Sequence, residues 1–270
     1  MALGSSFAAG SGLGPPDPKN AEGWSGATAS AYPRLVADRL NLALVNAACG
    51  GAITDNVTTT RQEALDETGT RIVPLQIDAV DRDTDVVTIT IGGNDVNYVG
   101  CLIAEAYLAA DPESPTSIAI SKFGDITPWS DDEVARALDG LEVKLAAVVS
   151  AVQREAPRAR ILLVDYLTIL PEDGEPCRAI PIPRERQRFL RQVAQRLSLA
   201  TERAARLTGA EFVAVSNESR RHHACSPEPW VTGYRIADGV APMHPNEAGH
   251  VAVAAAVVRQ LTGAGTGAGS

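Results

Sequence analysis

From Val134 onward, apolar side chains recur at alternating steps of four and three, through Leu138, Leu141, Leu145, Val148 and Val152. On a helix of 3.6 residues per turn these positions share one face, so the spacing predicts a long amphipathic helix over 131–156. Similar helical character runs through "ASAYPRLVADRL" at 29–40 and "PRERQRFLRQVAQRLSLATERAARL" at 183–207. Between these lie runs of another kind: "MAL" at the start, "NLALVNAA" at 41–48, "DVVTITI" at 85–91, "RILLVDY" at 160–166 and "AEFVAVS" at 210–216. The last four are nearly continuous in apolar character, as parallel strands covered on both faces require. Strand and helix therefore alternate, which predicts an α/β fold with a central parallel sheet of about five strands. A final helix is expected after "HPNEAGH", with Asn246 as its N-cap and "VAVAAAVVRQL" as its body, apolar nearly all round and so buried against the sheet. Residues 108–131 and 168–182, rich in Pro, Asp, Ser and Gly, read as long surface loops.

Length and charge narrow the function classes. A chain of 270 residues can bury a substantial core as one large domain or two small ones. A net charge of -9 and a pI near 5.0 argue against a nucleic-acid or anionic-membrane partner. No apolar run approaches the ~20 residues that cross a bilayer, so a soluble chain without an integral membrane segment is expected. No basic leader or apolar signal core precedes the first apparent strand. The low-complexity "GAGTGAGS" at the other end reads as a flexible tail.

In an open α/β sheet, ligands bind beyond the carboxyl ends of the strands. Three predicted strands run into polar, glycine-containing segments: "GSSFAAG" at 4–10, "CGGAITDN" at 49–56 and "GGNDVN" at 92–97. If the strands are parallel, the three segments meet at one edge. The first is either a Gly/Ser-rich turn or a mount for a nucleophilic serine. A serine, glycine backbone N–H groups and an Asn side-chain amide suit acyl transfer, which needs a nucleophile and donors for an oxyanion. The base must come from four histidines. His244, in the loop "MHPNEAGH" ahead of the last helix, is the candidate on position. His250 reads as a packed or solvated helix residue. His222 and His223 are adjacent but lack matched carboxylates or a cysteine pair, so a structural role is preferred to a metal site. Nucleotide binding is disfavoured, because after Gly10 and Gly12 the third glycine of G-x-G-x-x-G is replaced by Pro15. Trp24 and Trp230 read as core rather than pocket residues. Cys49, Cys101, Cys177 and Cys225 follow no C-x-x-C spacing and allow zero, one or two disulfides.

The order "GSSFAAG", "CGGA", "GGND", "HPNEAG" resembles the sequence blocks of the SGNH, or GDSL-type, serine hydrolases, in particular their actinobacterial esterase and lipase branch. The resemblance covers residues 2 to about 260. It implies a flavodoxin-like, three-layer α/β/α sandwich, with 1–262 as one hydrolase domain and 263–270 as a tail. It also implies a carboxylic ester hydrolase that needs neither cofactor nor metal. Ser6 would be the nucleophile, in the place of the family's Gly-x-Ser serine, and His244 the base. Ser6 N–H, Gly51 N–H and the Asn94 amide would form the oxyanion hole. The expected substrate is a small-molecule or lipid ester of short to medium acyl length. Acyl transfer to an alcohol and removal of acetyl groups from a carbohydrate are the alternatives on the same site. A monomer accommodates all of this.

Two positions depart from the family's pattern. Ser5 stands where an aspartate usually precedes the nucleophile, and Ala241 stands where D-x-x-H has its aspartate. An imidazole base needs an acceptor to fix its tautomer. The Ala241 carbonyl is the favoured one and Asp238 the second. The resemblance also implies a Cys177–Cys225 disulfide, and hence a secreted protein. Cys49 and Cys101 are left as a second pair or as free thiols.

Overall fold

In a computed structural model of the chain, residues 1–20, 27–66, 69–118, 129–235 and 240–263 are described. Strand β1 (Ala2–Gly4) leads into a single-turn helix α1 (Ser6–Ala9), followed by α2 (Tyr32–Leu40) and the short α3 (Thr54–Thr58). A hairpin of β2 (Gln62–Asp66) and β3 (Gly69–Val73) and a 3₁₀ turn at Gln76–Ala79 come before β4 (Val86–Thr90). Then follow α4 (Tyr98–Ala110), α5 (Asp131–Glu155), β5 (Arg160–Val164), α6 (Arg184–Thr208), β6 (Glu211–Val213), the short α7 (Val215–Glu218) and α8 (Glu247–Thr262).

The central sheet is parallel throughout, in the order β1-β4-β5-β6. One row of its register runs Leu3, Ile89, Leu163, Phe212. The run at 41–48, expected as a further strand, contributes one parallel bridge, Ala2 to Asn46. It does lie along the free edge of β1, with Ala2 N–H on Val45 O at 3.0 Å and Ala47 N–H on Ala2 O at 2.9 Å. The next rung is broken, because the Gly4 N–H is taken by Gln76 Oε1 at 2.7 Å, and only the Cys49 N–H on Gly4 O at 3.0 Å follows it. The expected strand over 210–216 is also shorter, ending at Val213. Beyond it the chain turns so that Ser216 can donate from N–H (3.0 Å) and Oγ (2.6 Å) to the buried Asp165 carboxylate.

Helices pack in pairs around the sheet, α5 on α6 and α2 on α8. The 131–156 periodicity translates directly into α5, whose buried residues include Val134, Leu138, Leu141, Leu145, Val148 and Val152. Its start is a capping box: Ser130 Oγ accepts the Glu133 N–H, and Glu133 Oε2 accepts the Ser130 N–H at 2.8 Å. At α8, Asn246 is the N-cap as expected, its Oδ1 accepting the Gly249 N–H at 2.9 Å. The helix is not buried all round, since Val251 is 48% exposed. Helix α4 and the β2–β3 hairpin correspond to no predicted element. "YVGCLIAEAYLAA" is apolar on most faces and shows no amphipathic stripe, while the hairpin is short and polar.

Two sulfur atoms do bond, joining Cys177 to Cys225 across the loops that follow β5 and α7. Cys49 and Cys101 are free and buried. Burial pushes both thiols up, Cys101 to about 11, so neither is a ready thiolate.

The first strand-to-helix turn depends on Gly4. Its φ is +140°, and a Cβ there would sit 2.3 Å from the Thr90 carbonyl oxygen. Gly4→Ala is expected to destabilise the protein by roughly 2–5 kcal/mol, the sum of backbone strain and overpacking. Urea denaturation would measure it, and an unchanged midpoint would contradict the close approach.

Candidate active site

Ser6 is the first residue of α1, immediately beyond the carboxyl end of β1. Ser5 before it is extended, so the chain turns sharply and leaves Ser6 half-buried with Ser5 beneath it. His244 lies on the loop before α8, 238 residues away, and its Nε2 is 2.7 Å from Ser6 Oγ. The Phe7 ring packs on His244 at 5.0 Å and on Tyr166 at 4.7 Å between centroids.

The other imidazole nitrogen is the place where the expectation needs correcting. Nδ1 of His244 is 2.6 Å from the Pro242 carbonyl, not the Ala241 carbonyl. Ala241 O is already used, accepting the Thr232 hydroxyl at 2.8 Å. Met243 adopts φ +58°, and this left-handed step turns the Pro242 carbonyl back onto the ring two residues on. Asp238 lies outside the described residues. With Nδ1–H donating to Pro242, Nε2 is left as the acceptor facing Ser6. Burial lowers the His244 pKa below its ordinary value, and the Pro242 carbonyl partly offsets this by favouring the charged ring.

Gly51 and Asn94 are brought to the same end of the sheet by a set of ties. Cys49 N–H donates to Gly4 O at 3.0 Å, which places the 49–51 turn beside β1. Gly51 sits at φ +77° and is exposed, and Gln62 from the hairpin holds the preceding Gly50 carbonyl at 2.6 Å. Asn94 Nδ2 donates to Ala52 O at 2.9 Å, and its second amide hydrogen has no acceptor among the described residues. Next to it, Asp95 accepts Thr54 N–H at 2.9 Å and Thr54 Oγ1 at 2.5 Å, capping α3, with Lys144 Nζ at 3.6 Å. Gly93 N–H donates to the Tyr166 hydroxyl at 2.9 Å, and a Cβ at Gly93 would collide with that ring. Neither Ser6 N–H nor Gly51 N–H has a protein acceptor among the described residues.

Several supporting residues escaped the sequence reading. Gln76 is the most complete: it is buried, accepts Gly4 N–H at 2.7 Å and donates to Gly4 O at 2.9 Å. It thus acts as one rung of strand pairing, made by a side chain. Only its isolated polarity between Leu75 and Ile77 marks it in the sequence, and that is no signal of partner. Tyr166, Gln62 and Thr232 carry none either.

The remaining histidines are structural. His250 is buried, its Nδ1 accepts Tyr32 N–H at 3.1 Å, and burial pushes it down to about 3, so it stays neutral. His222 stacks on Trp230 at 4.0 Å, and His223 Nδ1 accepts the Cys225 N–H at 3.2 Å. No cluster of three potential metal ligands occurs among the described residues. Trp230 is half-buried, and Trp24 lies outside the described residues.

A serine hydroxyl on an imidazole, at the carboxyl edge of a parallel sheet, invites comparison with known acyl hydrolases. Residues 2–252 match the profile of the GDSL-like Lipase/Acylhydrolase family. The chain belongs to that family. Lipase 2 of Streptomyces coelicolor is 31% identical over 257 residues, covering 92% of this chain and 81% of that protein. An esterase of Streptomyces scabiei is 27% identical over 252 residues, covering 83% and 71%. Among solved structures, an extracellular lipase from Streptomyces rimosus superposes with a TM-score of 0.70 at 22% identity, covering 97% of each chain. This GDSL-family protein is a carboxylic ester hydrolase of the lipase and esterase type. No helix among its described residues is long and apolar enough to cross a membrane.

Proposed function

We propose that the protein hydrolyses esters through a Ser6 acyl-enzyme with His244 as the base. The 2.7 Å contact between Ser6 Oγ and His244 Nε2 carries this reading. His244 takes the hydroxyl proton as Oγ attacks the ester carbonyl. The oxyanion is received by Ser6 N–H, Gly51 N–H and the second Asn94 amide hydrogen. His244 then gives its proton to the departing alcohol, takes one from the water that attacks the acyl carbon, and returns it to Ser6 Oγ as the bond from Oγ to the acyl carbon breaks and the carboxylic acid leaves. The charge on the imidazolium is held by the Pro242 carbonyl in place of a carboxylate. Short- to medium-chain acyl esters are the proposed substrates, supported by a half-exposed Ser6 and an exposed Gly51, which leave the reacting atoms open to dissolved molecules. Secretion is supported by the Cys177–Cys225 bridge and by the extracellular relative.

Only the neutral imidazole can take the Ser6 proton. Activity is therefore lost as pH falls through the His244 pKa, which burial sets below the usual ~6.5. The acid limb of kcat/KM for p-nitrophenyl butyrate is expected to have its midpoint below that value, and alkyl fluorophosphonate labelling of Ser6 should follow the same limb. Mass spectrometry of the labelled protein checks the assignment: an adduct on any other residue, or labelling indifferent to pH, would count against it.

A further inference from the structure

A loop-borne histidine without its usual aspartate has to be fixed by something else. Residues 230–233 run alongside 243–246 as a short antiparallel ladder. Met243 N–H donates to Gly233 O at 2.9 Å, Thr232 N–H to His244 O at 2.8 Å and Asn246 N–H to Trp230 O at 3.0 Å, with a bridge between Val231 and Pro245. One side chain of this ladder reaches into the histidine loop. The Thr232 hydroxyl accepts His244 N–H at 3.1 Å and donates to Ala241 O at 2.8 Å, with His244 O also 3.2 Å away.

The hydroxyl thereby holds both ends of the 241–244 turn. Inside that turn, the Pro242 ring fixes its own φ and Met243 takes the left-handed step, so little freedom remains for the Pro242 carbonyl. The Thr232 side chain is itself β-branched and restricted at χ1, which makes it a stiff clamp. Take the hydroxyl away and two backbone groups of a mostly buried loop lose their partners; the loop then re-forms around other contacts. Gln76 and Gln62 tie down the nucleophile and oxyanion segments, but neither touches the base.

We propose that Thr232 is the positioning residue for His244: by clamping Ala241 and His244 it aims the Pro242 carbonyl at Nδ1 and keeps Nε2 free to take the Ser6 proton. Thr232 thus supplies, through the backbone, what an acidic residue supplies in D-x-x-H. The inference rests on the reading of His244 as the base. Among the described residues, the groups against the imidazole are Ser6 Oγ, the Pro242 carbonyl and the Phe7 ring, the neutral His250 is near enough to feel its charge, and Asp238 lies outside the described residues.

The test compares Thr232→Val and Thr232→Ser with the wild type in the pH profile of p-nitrophenyl butyrate hydrolysis, each alone and in an Asp238→Asn background. Val is expected to lower kcat about 10- to 100-fold at little change in KM, short of the ~10⁴-fold that a wrong histidine tautomer costs. It should also move the acid limb to lower pH, because an acceptor that favours the imidazolium is lost. Ser should restore both rate and limb to within about threefold, and the pattern should persist with Asn at 238. A Val variant that melts earlier but keeps the wild-type kcat and acid limb would make Thr232 merely structural and overturn the proposal. So would a limb shift that vanishes in the Asp238→Asn background. Should Val fail to fold, Thr232→Ala takes its place, and ¹⁵N shifts of the wild-type ring give an independent reading: a proton on Nε2 in the neutral form would overturn the proposal. Ser6→Ala run alongside separates the two failures, since retained activity there would sink the base and nucleophile assignment itself.

Discussion

Ser6→Ala is expected to lower kcat/KM for p-nitrophenyl butyrate by about 10⁴-fold or more, while Ser5→Ala stays within about tenfold of the wild type. The two serines are adjacent, so this pair of variants separates the nucleophile from its neighbour. Ser6 Oγ meets His244 Nε2 at 2.7 Å, a contact that Ala removes entirely. Among the described residues Ser5 Oγ meets only the Tyr166 hydroxyl, and at a long 3.3 Å. Tyr166 keeps its stronger tie to Gly93 N–H when Ser5 is truncated, so the Asn94 turn stays in place. Circular dichroism and a melting curve should find both variants folded, because neither change leaves a buried charge. Substantial activity in Ser6→Ala would remove the acyl-enzyme reading, whatever became of Ser5.

Which of these features could be read before the fold was known follows from the range of the interactions involved. The periodicity of α5 is local, and so is the Asn246 cap, which closes within three residues; both were legible. The block order singled out Ser6, Gly51, Asn94 and His244 as candidates, because each is tied to a short pattern with its own glycine or proline. The Cys177–Cys225 bridge was legible only through resemblance. What could not be read depends on contacts across the chain. Gln76 meets Gly4 72 positions away, Tyr166 meets Gly93 73 positions away, and neither residue type announces its partner. The choice between Ala241 and Pro242 turned on a single left-handed residue, Met243, and on Thr232 occupying the other carbonyl. A methionine at positive φ has no sequence signature. The shortened 41–48 strand has the same origin, since Gln76 takes the Gly4 N–H that would have continued its ladder.

Asn94→Ala is expected to lower kcat by 10²- to 10³-fold with KM close to the wild-type value, the signature of a donor that binds the oxyanion more strongly than the ground-state carbonyl. One hydrogen of the amide is committed to Ala52 O at 2.9 Å, so the side chain is already oriented before substrate arrives. Losing that bond should cost about 1 kcal/mol of stability, since Asp95 still joins the two turns through Thr54 and keeps Lys144 nearby. Asn94→Asp should be worse than Ala. Its carboxylate cannot donate when ionised, faces the Ala52 carbonyl, and repels the developing oxyanion. The order wild type, then Ala, then Asp in kcat, with melting temperatures of wild type and Ala within a few degrees, would identify Asn94 as a transition-state donor. If Ala instead raised KM and left kcat intact, its amide would be holding ground-state substrate, and the oxyanion would rest on the Ser6 and Gly51 N–H groups alone.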